Sequence, residues 1–412
     1  MRQQLLQTSR TELTVTPLDN YQSHHAEHTM IQRCFAVTKD KLSRFKTISN
    51  ALEPSSLATD ELILDIDKFA FTANNMTYAH AGGPPLNYWH FYDSLCGGRG
   101  DSSGHASGHA SGHASMQPLG IIPVWGFGTV THSRNTNVPE GSRHYGFYPM
   151  ANSAKFSPSK ASPFSFTVAR EDPDLAAVYN SYLNTSTDQF YSDSKCENAM
   201  MVYRPLFLTS FFLDDYCIRK FSSISRVILT SASSKTAFAL AHQLKQRGVT
   251  VIGLTSKRNV GFCEALGLYD KVCDYDSIEN GILSPETKTV LVDMAGSYDV
   301  NLAIDRHLGS NIVENVGVGM THNTVLFGDK SLLSEHARAT RTFFFAPAWI
   351  KMRIEEDATV MEKAVAEYIK FTTTSDEKRW LEFDETMAVE EVYKSFEGNV
   401  VNPNTGLITR VK

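Results

Sequence analysis

The sequence predicts an α/β fold in which a doubly wound parallel sheet follows a mostly β half. From about residue 226 onward, short apolar strands alternate with helices about ten residues long, an order typical of a parallel sheet covered by helices. Gly248, Gly267 and Gly309 follow three of these helices and are suited to end them in a left-handed conformation. Before about residue 170 the apolar runs are short and separated by turn residues, which indicates β structure.

One strand of the first half is followed by a candidate site. Glu61–Phe71 alternates apolar and polar residues, as a half-buried strand does, and runs into Thr72–Ala79. Two asparagines and a threonine in this second segment predict a turn. The other predicted elements of this half are strands in Met30–Val37 and Pro118–Pro149 and helices in Asp174–Tyr179 and Leu206–Tyr216.

The second half alternates strictly between strands and helices. This order predicts parallel strands, with ligands binding beyond their carboxyl ends. The predicted strands are Arg226–Thr230, Val249–Leu254, Lys271–Tyr275, Lys288–Asp293 and Asn311–Gly317, and the helices are Lys235–Arg247, Gly261–Leu266 and Val300–Leu308.

Composition and charge limit the classes of partner. The chain has 412 residues, 42% of them hydrophobic, and a net charge of −6, so it lacks the basic surface that binding to nucleic acid requires. No segment approaches the roughly 18 apolar residues that cross a bilayer, and the N-terminus lacks the apolar stretch of a secretory signal. We expect a cytoplasmic protein with a small-molecule partner, and neither a nucleic-acid nor a membrane partner.

Cysteines and histidines give no recognisable metal motif. The six cysteines are scattered without a C-x-x-C pair, as in proteins of a reducing compartment. Residues 96–116 are of low complexity, and we expect a mobile surface loop there. Its Gly-His-Ala-Ser repeat includes His105, His109 and His113, but the glycines disfavour a helix that would align them. His24, His25, Glu27 and His28 also lack a zinc spacing, so no metal site is expected.

The turn after the first strand of the parallel sheet is a candidate phosphate site. Leu229 and Ser234 occupy the glycine positions of a Walker A loop, and the three positions of a G-x-G-x-x-G fingerprint are also not glycine. The turn is nevertheless rich in small residues and hydroxyls, and it opens a helix whose N-terminus favours an anion. The groups that could bind phosphate are the hydroxyls of Ser231, Ser233, Ser234 and Thr236 and the ammonium of Lys235. The alternative is that these serines only cap the helix.

The end of the second strand indicates which dinucleotide would bind. An NAD-binding fold places an acidic residue there for the ribose 2′-hydroxyl, and this sequence has none. Ser256, Lys257 and Arg258 instead suit the 2′-phosphate of NADP, which arginine and lysine pair with strongly. The alternative is a solvated basic turn. The sequence therefore predicts NADP as the cofactor.

These segments resemble a known superfamily. Arg226–Ala237, Leu266–Tyr275 and Thr289–Gly296 look like the cofactor domain of the medium-chain dehydrogenase/reductases, nearest to the zinc-free quinone and enoyl reductases. Glu61–Tyr78 is similar to their strand that leads into an asparagine-containing active-site turn, and Gly406–Val411 resembles their last strand. The chain is closest to a branch that shares the strings Thr-Ala-Asn-Asn (72–75) and Ser-Ala-Ser-Ser-Lys-Thr-Ala (231–237).

The resemblance implies a domain division. Residues 1–200 would form a mostly β, GroES-like substrate domain, residues 201–345 an NADP-binding Rossmann domain, and residues 346–412 a return to the substrate domain. It also implies a homodimer. Zinc-dependent relatives carry a cysteine where this turn reads Ala73-Asn-Asn, and no structural cysteine cluster follows, so the resemblance implies chemistry without zinc.

The resemblance also assigns site residues. Ser234, Lys235 and Thr236 would bind the pyrophosphate. The 2′-phosphate would be held by Ser256, Lys257 and Arg258 with the hydroxyl of Tyr275. Four small residues would flank the nicotinamide: Ala295, Gly296, Gly317 and Gly319. The substrate side would be lined by Asn74, Asn75 and Tyr78.

We therefore expect an NADPH-dependent reductase of an enone, quinone or related carbonyl compound. Hydride would reach the β-carbon of an enone, and donors from Asn74, Asn75 and Tyr78 would stabilise the enolate. Tyr78 is the first candidate for proton delivery, although a buried tyrosine bonded to backbone is the common alternative. Tyr145 and Tyr148 are further candidates. Two other functions stay open: an NADP(H)-binding sensor or scaffold without turnover, and a non-redox lyase or aldolase-type enzyme that retains the cofactor.

Overall fold

A computed structural model describes residues 29–96, 118–221 and 223–412, apart from 85, 171, 173, 174, 281, 282 and 319–332. The described chain contains a parallel sheet covered by helices and a separate, largely antiparallel β region, so the predicted fold class is confirmed. Three predictions fall outside the described residues: the histidine-rich loop, the earlier histidine group and the role of Gly319.

The β region comprises two sheets. The hairpin of β1 (Met30–Thr38) and β2 (Lys41–Leu52) joins β4 (Leu119–Gly120) in a three-stranded sheet. The nine-stranded sheet is built around β3 (Leu62–Phe71), which pairs antiparallel with β5 (Pro123–Ser133). Its other strands from this half are β6 (Arg143–Pro149), β7 (Ser153–Phe156), β8 (Pro158–Ala161), β9 (Ser165–Val168) and β10 (Ser181–Asn184).

Two segments of this half differ from the predicted structure. The segment after β3 is a helix, α1 (Ala73–His80), and not a turn. The side-chain oxygen of Asn75 accepts hydrogen bonds from the Thr72 amide at 2.7 Å and the Thr72 hydroxyl at 3.1 Å, so the polar residues that suggested a turn begin a helix. In Asp174–Tyr179 the described residues form only the start of a short 3-10 turn, Ala177–Asn180, because β10 begins directly after it and pairs with β6.

A long helix connects the β region with the parallel sheet. This helix, α2 (Glu197–Lys220), extends well beyond the predicted Leu206–Tyr216 and contains Pro205. Proline cannot donate to the carbonyl one turn earlier, so the helix loses one hydrogen bond there. Packing against both halves outweighs this loss, because α2 buries residues from its first turn to its last.

The parallel sheet has the strand order β13-β12-β11-β14-β15-β16. Because β11 lies between β12 and β14, the chain reverses direction across the sheet at β11, and the crevice of a doubly wound fold lies at this point. The strands are β11 (Arg226–Leu229), β12 (Thr250–Thr255), β13 (Lys271–Asp274), β14 (Thr289–Asp293), β15 (Ile312–Gly317) and β16 (Arg341–Phe343). The helices between them are α3 (Lys235–Gln246), α4 (Val260–Leu266), α5 (Tyr298–Leu308) and α6 (Glu335–Ala339).

After β16 the chain returns to the nine-stranded sheet. Its last strand, β18 (Thr405–Thr409), pairs antiparallel with β3, with Leu407 opposite Phe71. The segment before β18 therefore crosses from the parallel sheet to the β region. The elements of this return are α7 (Ala346–Glu356), α8 (Val360–Glu377), β17 (Glu382–Asp384) and α9 (Val389–Glu397).

A buried carboxylate joins α2 to the nine-stranded sheet. Glu197 is 2% exposed and accepts two hydrogen bonds from Arg143, at 2.7 and 2.9 Å. Lys68 lies 2.8 Å from the same carboxylate, and the Tyr191 hydroxyl donates to it at 3.0 Å. Burial by itself raises the pKa of Glu197, but the hydrogen bonds and charges of Arg143 and Lys68 outweigh burial and lower the pKa overall.

We expect Glu197→Gln to lower the free energy of unfolding by about 3 kcal/mol at neutral pH, because it removes the buried counter-charge of Arg143 and Lys68 and leaves Arg143 only its exposed partner Asp67. The folded state lowers the pKa of Glu197, so its contribution is complete above the unfolded pKa and is lost as the pH falls through the folded pKa. Urea unfolding across pH should show wild type and variant converging below about pH 4. The exposed Glu382→Gln is the control, and an equal loss in both variants would contradict the assignment.

Candidate functional site

A single cavity of about 540 Å³ extends from the carboxyl ends of the parallel strands into the β region. At the parallel sheet it is lined by the turn Ser231–Thr236, by Thr255 and Ser256 at the end of β12, by Met294 after β14 and by Val318 after β15. The carboxyl ends of neighbouring parallel strands are where a doubly wound sheet binds its ligand. The cavity is therefore the candidate active site.

The turn between β11 and α3 has a strained start and a regular helix cap. Ser231 has a φ of 50°, in the left-handed region, and its amide donates to the Tyr275 hydroxyl at 2.9 Å. Ser234 is the N-cap of α3, with its hydroxyl oxygen accepting from the Ala237 amide at 3.3 Å. The hydroxyl oxygen of Ser233 accepts from Asn259 at 3.0 Å. Capping uses the oxygen of Ser234 as an acceptor and leaves its O–H free to donate to a ligand.

The predicted cations differ in their position around the cavity. Lys235 lines it, with its ammonium donating to the carbonyls of Pro403 at 2.9 Å and Thr405 at 3.0 Å. Burial lowers the pKa of Lys235 to about 8. Arg258 also lines the cavity, whereas Lys257 is exposed and is not part of the wall.

Arg258 contacts the returning C-terminal segment. Its guanidinium donates to the backbone carbonyl and to the side-chain oxygen of Asn399, both at 2.8 Å. The arginine is exposed, and its partner is neutral. A phosphate would add the attraction of opposite charges and bidentate geometry, which neutral Asn399 does not provide, so it can displace Asn399 from Arg258.

The residues predicted to flank the nicotinamide lie beneath the cavity wall. Ala295, Gly296 and Gly317 are buried, and Met294 and Val318 form the wall beside them. The oxygen of the Thr230 hydroxyl accepts from the Met294 and Ala295 amides at 2.9 and 3.0 Å, and Gly296 adopts a φ of 66°. These contacts fix the turn after β14. Tyr275 lines the cavity, where its hydroxyl accepts the bond from Ser231.

Aromatic residues line the part of the cavity in the β region. We call this surface the aromatic wall, and it comprises Tyr78, Tyr88, Trp125, Tyr145 and Tyr179. The oxygen of Tyr78 accepts from the Asn74 side-chain amide at 2.6 Å and from the Trp125 indole at 3.4 Å. The hydroxyls of Tyr88 and Tyr179 are 3.1 Å apart, and the rings of Tyr78 and Tyr88 are 4.6 Å apart between centroids.

Three tyrosine hydroxyls of the aromatic wall stay protonated at neutral pH and can donate hydrogen bonds. Burial raises the pKa of Tyr78, Tyr88 and Tyr179 well above the usual tyrosine value. Tyr78 already accepts from two donors, and a hydroxyl has only two acceptor positions. Its own proton is therefore directed to an acceptor, either a neighbour or a ligand in the cavity.

The predicted substrate-side residues separate into two groups. Tyr78 and Asn74 line the cavity. Asn75 is 3% exposed and does not belong to the wall, because its oxygen begins α1 and its nitrogen donates to the Pro123 carbonyl at 3.0 Å. The structure thus gives Asn75 a role in positioning α1, which corrects its assignment to the substrate side.

Sequence reasoning missed much of the aromatic wall. Tyr88, Trp125 and Tyr179 lie far apart in the sequence and meet only in the folded chain. The run Asn87–Tyr92 contains four aromatic residues and was the one available signal for Tyr88. Arg204 in α2 and Asn399 were also not predicted.

The described residues contain no group of three or more histidine, cysteine or acidic residues that could hold a metal ion. Nor does this part of the chain contain a helix long and apolar enough to span a bilayer.

The fold that holds this cavity pairs a parallel sheet covered by helices with a separate, largely antiparallel β region. The model of the family described as "Protein of unknown function (DUF2855)" matches residues 69–401, and the chain belongs to this family. No protein in a curated set matches the chain by sequence.

Solved structures with the same fold are distant in sequence. CurA from Vibrio vulnificus in complex with NADPH is 12% identical, with a TM-score of 0.57 over 93% of this chain and 99% of that one. A mutant enoyl thioester reductase from Candida tropicalis is 11% identical, with a TM-score of 0.51 over 93% of this chain and 100% of that one. A putative NADPH:quinone reductase from Bacillus thuringiensis is 13% identical, with the same TM-score and coverage. At these identities, the TM-scores above 0.5 show a shared fold.

The left-handed conformation of Ser231 predicts an unusual response to glycine. We expect Ser231→Gly to maintain or slightly raise stability in urea unfolding, and Ser231→Val to lower it by about 1–2 kcal/mol, because this conformation penalises side chains branched at Cβ. The control is Ser233→Gly, where φ is not positive and glycine also removes the acceptor for Asn259, so it should lower stability by about 1 kcal/mol. Equal effects of glycine at the two positions would contradict the strained turn.

Proposed function

We propose that this protein is an NADPH-dependent reductase of conjugated carbonyl compounds that works without zinc. The observation that carries the proposal is the continuity of the cavity, which joins the carboxyl ends of the parallel strands to the tyrosine hydroxyls of the aromatic wall. A dinucleotide in the first part and a carbonyl substrate in the second would meet inside one enclosure.

The residues at the parallel sheet fit a phosphorylated dinucleotide. The hydroxyls of Ser231, Ser233, Ser234 and Thr236 and the N-terminus of α3 would hold the pyrophosphate, with Lys235 beside them. Ser256 and Arg258 line the cavity where an NAD-specific fold would place an acidic residue, so they would hold the 2′-phosphate, with the Tyr275 hydroxyl nearby. Lys257 would add charge from outside the wall.

The aromatic wall would position the substrate carbonyl. When bound, the nicotinamide supplies the hydride. Tyr78 would donate its hydroxyl proton to the carbonyl oxygen, and Asn74 would keep the Tyr78 hydroxyl oriented through their 2.6 Å contact. The surrounding rings exclude water and strengthen the hydrogen bonds to a developing enolate. No cysteine lies in Ala73–Asn75, so the carbonyl would be polarised by hydrogen bonds instead of by a metal.

We expect NADPH to bind at least tenfold more tightly than NADH, a difference of about 1.4 kcal/mol, in calorimetric or fluorescence titration. Arg258→Ala should abolish most of this preference because it removes the cation on the wall, and Lys257→Ala should reduce it less. The exposed Arg306→Ala on α5 is the matched control. Absence of NADPH binding by wild type, or a preference unchanged in Arg258→Ala, would contradict the proposed cofactor site.

Tyr78→Phe should lower kcat with an enone or quinone substrate by roughly 10²–10⁴-fold, as expected for removal of a general acid. Its affinity for NADPH should stay unchanged, because Tyr78 lies in the β region. Tyr148→Phe is the control, since Tyr148 is buried in the same sheet but donates to the His144 carbonyl at 3.1 Å and is not part of the cavity wall. The loss of NADPH absorbance measures turnover. Full activity of Tyr78→Phe would show that Tyr78 is not the proton donor.

The same assays separate the rival functions. Tight NADPH binding without oxidation of the cofactor by any enone or quinone would favour a sensor or scaffold. Turnover of substrate without a change in nicotinamide absorbance would favour a lyase or aldolase-type enzyme.

A further inference from the structure

A buried arginine lies at the edge of the aromatic wall. Arg204 on α2 is 7% exposed and lines the cavity. Its guanidinium lies between two rings, with the central carbon 4.7 Å from the centroid of Tyr145 and 4.1 Å from that of Phe190. One of its nitrogens donates to the carboxylate of Asp188, which forms a buried ion pair with it.

The ion pair leaves part of the guanidinium unused. Arg204 makes no other hydrogen bond to the described residues, and its remaining nitrogens are not among the buried polar atoms sealed from solvent. Because Arg204 is a wall residue, those N–H groups are accessible from the cavity. These N–H groups can therefore donate to a ligand that enters the cavity, and a guanidinium N–H to a polar acceptor is among the stronger hydrogen bonds that proteins make.

A second unpartnered group is adjacent to Arg204. The hydroxyl of Tyr145 is buried and has no hydrogen-bond partner among the described residues. Burial raises the pKa of Tyr145, so the hydroxyl stays protonated, but the oxygen is sealed from the cavity. Tyr145 therefore contributes its ring to the cavity wall, and the accessible donors are those of Arg204. We call Arg204 and Tyr145 together the arginine corner.

Trp125 connects the arginine corner to Tyr78. Its ring stacks on Tyr145 with centroids 5.3 Å apart and planes 11° apart, and its indole N–H donates to the Tyr78 oxygen at 3.4 Å. The indole and the ring of Tyr145 therefore lie between the proposed proton donor and the guanidinium of Arg204. Because all four side chains line the cavity, a flat molecule that extends past both rings can contact Tyr78 at one end and Arg204 at the other.

We propose that the arginine corner binds a second oxygen acceptor of the substrate, remote from the carbonyl that is reduced. This inference rests on the proposed reductase function and defines its substrate class: a flat aryl-conjugated carbonyl compound that carries a further neutral carbonyl or ester oxygen. Flatness follows from the stacked rings of Trp125 and Tyr145. Neutrality follows from Asp188, because the pair with Arg204 carries no net charge and a carboxylate would add an uncompensated buried charge.

The test compares matched derivatives of benzalacetone. Each derivative carries one substituent on its phenyl ring, in either the para or the meta position. A methyl ester supplies the neutral second acceptor, and an isopropyl group has a similar size without an acceptor. A carboxylate supplies a charged acceptor. The comparison uses the ring position, para or meta, at which the ester has the higher kcat/KM. At that position, the kcat/KM of wild type for the ester should be at least tenfold above its kcat/KM for the isopropyl compound and for the carboxylate. A carboxylate that exceeds the ester would overturn the neutral substrate class.

The variant that tests the corner is Arg204→Met combined with Asp188→Leu, which removes both charges and leaves no unpaired buried ion. We expect the ratio of ester to isopropyl compound to fall to about one in this double variant, with the Kd for NADPH unchanged. Arg204→Lys, which retains the charge but not the planar fork, should preserve only part of the ratio. A ratio unchanged in the double variant would overturn the inference.

Binding measured without turnover separates this inference from the proposed function. Calorimetric titration of the NADP-loaded protein with the same compounds reports the ratio of affinities directly. Equal affinities for ester and isopropyl compound, or no binding of either, would overturn the arginine corner even if other enones are reduced. An Arg204-dependent preference in binding without NADPH oxidation would support the corner and reject the reductase.

Discussion

The antiparallel pairing of β18 with β3 is the interaction on which the site depends. It places Leu407 opposite Phe71, directly before the segment that begins α1 and carries Asn74 and Tyr78. The same pairing brings the preceding C-terminal residues across the turn between β11 and α3, where Lys235 contacts the Pro403 carbonyl. One strand pair thus brings the β region and the carboxyl ends of the parallel strands together around one cavity.

The electrostatics of the crevice follow from this arrangement. Lys235 and Arg258 each donate two hydrogen bonds to the returning segment, but with different consequences. Lys235 is desolvated, and burial lowers its pKa to about 8, so it keeps most of its charge at neutral pH at a cost in solvation. Arg258 is exposed and permanently charged, so it is the cation that an added phosphate can recruit at little cost.

The aromatic wall and the arginine corner give the two ends of the cavity different chemistry. The Tyr78 hydroxyl receives two hydrogen bonds and has its own proton to donate. The arginine corner presents donors that the protein itself does not satisfy. An apolar cavity with a few convergent polar groups orients a ligand by those groups, while the ring surfaces provide most of the contact area.

The sequence by itself determined the fold class and the location of the parallel strands. Strands such as Arg226–Leu229 are read from local apolar runs, and the absence of an acidic residue after β12 is also a local feature. The helix α1 was misread as a turn, since the same polar residues favour turns and helix starts, and only the bonds between Thr72 and Asn75 decide between them. The roles of Asn75, Arg204 and Asn399 depended on tertiary structure, because burial and partners distant in sequence determine what a polar side chain does.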